Sequence, residues 1–186
     1  MVVAVIAIIV VICGAIWYKQ HFPYGASHIC NKVLFLELTM YANDHGGAFP
    51  AGESSPEASL SLLYREGISK EPDLLAGKAG NPNAARKILE SGKLLGPDTC
   101  NWHYEEGLRE SDPSGVALLW DKVPGLGHNC ERRPDGGREV VFMGGQGSWI
   151  PGTNWPAFLE EQRHKMAEIK ERRREESEQG NGTLRR

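Results

Sequence analysis

The sequence predicts an α+β domain carried behind an N-terminal membrane-spanning helix, and three observations predict it. The first eighteen residues, MVVAVIAIIVVICGAIWY, hold no charged side chain. The stretch HICNKVLFLELTMYAND repeats apolar residues at helical spacing. From Leu94 onward the chain becomes short and β-prone, with TCNWHYEEG, GVALLWDKV and REVVFMGGQGSWIP separated by Gly, Pro, Asp and Asn. A long helix, then small helices, then three or four strands is a plan in which the long helix packs on one face of a small antiparallel sheet. The chain has 186 residues, 40% of them hydrophobic, and a net charge of −3, which suits one modest domain with appendages. No basic stripe interleaves with aromatics, so nucleic acid is not an expected partner.

The expected anchor is residues 1–20; its first eighteen are apolar all round and as a helix span roughly 27 Å, close to the hydrocarbon thickness of a bilayer. Val3, Ile6, Ile9 and Val10 are the expected lipid contacts, Trp17 and Tyr18 the interfacial belt, and Lys19 the exit to water. A cleaved signal peptide competes with this reading. It requires a basic segment before the apolar run and a small-x-small cleavage site, whereas nothing basic precedes the run and CGAIWYKQ is bulky. A single lysine places the attached domain only weakly, and long domains translocate regardless of such charges.

Pro23 and Gly25 separate the anchor from the next helix, for which Ser27 is the candidate N-cap. Ile29, Val33, Leu36 and Met40 fall on one helical face with Leu34, Leu38 and Tyr41 beside them, a stripe wide enough to be buried against a sheet. Gly46, Gly47 and Pro50 end that helix, where His45 meets the C-terminal dipole. SSPEASLSLLYREG predicts a second helix capped by Ser55, turning Leu60, Leu63 and Tyr64 inward and stopping at Gly67. NPNAARKILESG predicts a third. Arg138–Met143 and Gly147–Ile150 read as a hairpin, with Gly144 and Gly145 supplying positive φ at its turn. No helix and no Lys-Ser/Thr pair comes after those glycines, so they do not form a phosphate loop. Leu34, Leu38, Val141, Phe142 and Trp149 are the expected core. Residues 154–186 read as a charged helical or disordered tail whose apolar seam is thin (Phe158, Leu159, Met166, Ile169). The expected domain is thus 27–153.

CNKVLFLELTMYANDHGGAFP resembles the helix and helix exit of type II secretion pseudopilin G-like and related prepilin-type membrane proteins. LLWDKVPGLGHNC, with GGREVVFMGGQGSWIP after it, resembles their C-terminal pattern, a strand ending in Trp-Asp-Lys, a His, then a strand hairpin. Together the matches cover most of residues 27–151. The resemblance implies a pilin-like domain outside the cytoplasm, anchored in the inner membrane by one pass. It also implies a non-catalytic role in a secretion or pilus-like assembly, with other pseudopilin-like subunits or secretion machinery as partners. The sequence departs from the family in three places. It opens at MVVAVIAII without a Gly-ended leader or a fifth-position Glu, Pro23 and Gly25 interrupt the long helix, and Gly144-Gly145-Gln146 replaces Asp-Gly-His. The first of these favours an alternative, a stand-alone anchored domain that has left filament assembly and binds a ligand or partner through its Cys/His loop or its charged C-terminal helix.

Cys100, His103, His128 and Cys130 form the most chemical-looking group. They are compatible with a tetrahedral zinc, with a Cys100–Cys130 disulfide, or with thiols otherwise disposed, and His-x-Cys is tight for a zinc knuckle. The resemblance also implies calcium, for which Asp121 and Asp135 are candidate ligands, although Asp121-Lys122 reads more simply as a turn with a surface ion pair. Ser114 and Ser148 lie on no nucleophile elbow, and the adjacent Glu105 and Glu106 project apart, so no enzyme is expected.

Overall fold

Four strands form one antiparallel sheet in chain order: β1 (Trp102–Tyr104), β2 (Ala117–Asp121), β3 (Arg138–Phe142) and β4 (Gly147–Ile150). The computed structural model describes residues 2–26 and 29–183, with side chains for residues 3–178. Among the described residues, six α-helices accompany the sheet. They are α1 (Val2–His21), α2 (Asn31–Asp44), α3 (Pro56–Arg65), α4 (Pro72–Ala76), α5 (Pro82–Glu90) and α6 (Trp155–Thr183).

Local sequence sets most of the helix boundaries. Ser55 accepts the Ala58 N–H and Asn81 the Ala84 N–H, and each is followed by proline at the first helical position. The start of α2 differs from expectation. Its N-cap is Cys30, with no side-chain cap, and Ser27 lies outside the described residues. At its other end His45 stacks on Tyr41 at 3.8 Å and its Nδ1 lies 2.8 Å from the Tyr41 carbonyl, as a C-terminal residue facing the helix dipole can.

The sheet is covered on both faces, which explains why every residue of β2 is buried. One face meets Leu34, Leu38, Leu60, Leu63 and Leu75 from α2, α3 and α4. The other meets Phe158 and Trp155 of α6, which pack edge-on against Trp120 at 6.3 and 5.8 Å. A β-bulge between Ala117 and Leu119 interrupts the alternation, so the consecutive Leu118 and Leu119 both enter the first core while Ala117 and Trp120 face α6. β1 is pinned by its two inward aromatics: Trp102 donates to the Leu74 carbonyl at 2.7 Å and Tyr104 to the Pro50 carbonyl at 2.8 Å.

Three expectations change here. The tail is a helix docked on the domain rather than a solvated appendage. Beyond its apolar seam, Gln162 accepts the Ala117 N–H, Lys165 donates to the Gly115 carbonyl, and Arg172 and Arg173 both pair with the buried Asp112. At the β3–β4 turn only Gly145 has positive φ (+77°), because the connection is a three-residue loop ending in a left-handed residue and closed by Phe142 N–H to the Gln146 carbonyl. Trp149 is not core. It lies on the edge strand, its indole donating to Asp135 at 2.7 Å beneath Arg133.

Candidate functional site

The most exposed apolar surface of the molecule runs along α1 and α2. Residues Val3–His21 form a helix of mean hydropathy 2.1, none of it buried, long and apolar enough to cross a membrane. Val3, Ile6, Ile9, Val10 and Trp17 all stand exposed. At its end Trp17 stacks on His21 at 5.1 Å and Tyr18 packs on Phe22 at 5.3 Å, an aromatic cluster of the kind that suits a membrane–water interface. The His21 carbonyl accepts the Arg132 N–H at 2.7 Å, which ties the helix exit to the loop before β3.

α2 carries two apolar strips, and only one is buried. Leu34 and Leu38 are fully enclosed, with Tyr41 and Ala42, whereas Val33, Leu36 and Met40 are 45%, 60% and 55% exposed. The expected single buried stripe therefore divides. A helix face wider than the groove formed by β3 and α3 leaves its outer part uncovered. Beside Val33 lies a groove of about 400 Å³ lined by Cys30, Glu37, Ile68, Lys70 and Leu74. Burial raises the Glu37 carboxyl, the Ser69 hydroxyl opposes this, and Glu71 adds to it.

The Cys/His group does not converge. Cys100 lies in the main core, where burial pushes its thiol up to about 12. His103 points to the other face of the sheet, stacked on Trp120 at 3.9 Å and bonded to Glu105 at 2.9 Å. Cys130 Sγ lies 3.9 Å from the Lys78 carbonyl, and His128 Nδ1 lies 3.7 Å from Glu139. No disulfide joins Cys100 to Cys130, and among the described residues no three His, Cys, Asp or Glu are arranged to hold a metal ion. β1 turns Trp102 and Tyr104 into the core that holds Cys100, so the alternating His103 faces the opposite way.

Asp121 also differs from its expected surface role. It is enclosed with Lys78, whose Nζ donates to Asp121 Oδ2 at 2.9 Å and to Glu139 Oε2 at 2.8 Å. Burial pushes the Asp121 carboxyl up to about 6 against the pull of Lys78. Burial also works against charge on Lys78, and the two carboxylates overcome it, raising the lysine. Lys122, the expected surface partner, instead reaches Glu57 at 2.6 Å and the Cys100 carbonyl at 2.8 Å. Asp135 is engaged by Trp149, so Asp121 and Asp135 do not face one site. Sequence reading missed Lys78 because a lysine in AGKAGNP looks like a loop cation. The signal available is its bracketing by Gly77, at φ +81°, and Gly80, where a Cβ would overlap the Ala76 carbonyl.

No family model matches the chain, and neither a curated protein nor a solved structure matches it.

Proposed function

We propose that this chain is a single-pass, membrane-anchored structural subunit of a pseudopilin-like assembly, with its α+β domain outside the cytoplasm and no catalytic role. The observation that carries the reading is an apolar helix whose membrane-length window has no buried residue, followed after a short linker by a second helix with Val33, Leu36 and Met40 uncovered. Exposed apolar surface of this extent marks contact with lipid or with another protein.

The anchor is tested by the mass of the membrane-extracted protein. Retention of α1 after alkaline carbonate washing supports anchoring, and a chain shortened past residue 21 shows that α1 served as a signal sequence. The assembly is tested with Met40→Cys and Leu36→Cys in intact membranes under oxidising catalyst. Cross-linked species that depend on the new cysteine are expected; monomer alone at both positions overturns the structural role.

A further inference from the structure

A cleft lies between the C-terminal half of α6 and the loop joining β1 to β2. Its volume is about 720 Å³, within the range of small-molecule sites, and it is independent of the anchor and of the α2 face. Its floor is apolar, with Ala48, Phe49 and Leu108, and its walls carry Arg109, Arg172 and Arg173. Two cations and one backbone amide share one enclosed carboxylate. Asp112 is 1% exposed at its side chain and both its oxygens are saturated: Oδ1 accepts from Arg172, and Oδ2 from Arg173 and from the Arg109 N–H. The other lining acid, Glu176, is 67% exposed and 3.9 Å from Arg172.

This arrangement does two things. It uses Asp112 to hold two guanidinium groups side by side, which fixes them without neutralising the cleft. It also places Arg109 on a rigid segment, since Ala48 bridges Arg109, Phe49 donates to the Leu108 carbonyl, and Glu110 donates to the Gly47 carbonyl. The side chain of Arg109 makes no ion pair or hydrogen bond among the described residues. Arg173 also donates through Nη1 to the Gly107 carbonyl, and the Arg172 and Arg173 side chains remain 45% and 33% exposed, so both cations stay accessible from the cleft. A planar, permanently charged donor fork over an apolar floor is the chemistry that binds carboxylate or phosphate.

We propose that this cleft is a binding site for a small organic anion, whose carboxylate or phosphate group is gripped by Arg109 together with Arg172 and Arg173 while its body rests on Phe49 and Leu108. The Ser111 hydroxyl lines the same cleft and can donate to the anion's remaining oxygens, whereas the Ser177 hydroxyl there donates to the Arg174 carbonyl at 2.8 Å.

The test is isothermal titration of the full-length protein in detergent with citrate and, separately, inorganic phosphate, at ionic strength held constant with chloride. Saturable one-site binding of at least one probe is expected. Preference for citrate identifies a carboxylate ligand, and preference for phosphate a phosphorylated one. Arg109→Gln, which removes a cation that no fold contact uses, should weaken binding about tenfold or more. Ser111→Glu, at the exposed rim, should weaken it as well. Arg86→Gln, far from the cleft in the Arg86–Asp73 pair, should leave it unchanged. Absence of saturable binding by both probes overturns the proposal, as does binding that Arg109→Gln and Ser111→Glu leave intact.

Discussion

Lys78 brings a positive charge between two carboxylates in a space that water does not reach, with Asp121 2.9 Å and Glu139 2.8 Å from its Nζ. Removing one partner of such a group leaves uncompensated charge, so Lys78→Met should cost about 3–5 kcal/mol at neutral pH in a denaturant melt. The pH dependence has a definite sign. Asp121 titrates near 6 in the fold, above its ordinary range, so between about pH 4 and pH 6 the folded state holds more protons than the unfolded chain. This group therefore weakens the fold as pH rises through that window, and Asp121→Asn should abolish that part of the slope. Lys78, being raised, contributes stability that persists until the pH climbs past the ordinary lysine range. The cysteines obey burial in the same way. Cys100 is enclosed and its thiol is held protonated, so a maleimide should modify the half-buried Cys30 in the native protein and Cys100 only after unfolding. Rapid native labelling of Cys100 would contradict the packing described. Membrane orientation is accordingly better read from an added surface thiol such as Lys93→Cys than from the native set.

Two elements are held by features that substitution can isolate. The β3–β4 hairpin depends on Gly145, whose positive φ and proximity to Phe35 (2.9 Å from an added Cβ) both exclude a side chain. Gly145→Ala should lower stability by about 1–2 kcal/mol or more. Gly144→Ala should cost less, because φ there is ordinary and its nearest obstacle is the flexible end of Gln146. Equal losses at the two glycines would show that the left-handed residue does not govern the turn. α6 is held by aromatic packing at one end and by Asp112 near the other. Phe158→Ala should cost about 3–5 kcal/mol. Asp112→Asn should raise amide exchange after Ile169 while leaving the Trp155–Phe158 end protected; uniform protection along α6 would show that the arginine clamp contributes nothing.

For the whole molecule, the anchor and the domain are energetically separate. α1 buries none of its surface, and a backbone bond from Arg132 joins its last residue to the domain. Deleting residues 1–21 should leave the domain's melting temperature within about 2 °C, since losing a surface contact changes stability by only tenths of a kcal/mol. A larger fall would reveal packing of α1 on the domain. The sheet, by contrast, is shared by both cores, so damage on either face should unfold one cooperative unit.

The apolar helix, the capped start at Ser55, the hairpin at Arg138–Phe142 and Gly147–Ile150, and the α+β order are all legible in the chain before it folds. Periodicity, capping and turn residues act over a few positions, so local chemistry dictates them. Long-range packing alone selects which strip of α2 is covered, lays the charged tail over the second face of the sheet, and brings Lys78 to Asp121 across 43 positions. The Arg172–Arg173 run reads as solvated until Asp112, some 60 positions away, supplies its partner. Burial of a charge depends on what distant segments bring to it, and no local pattern records that.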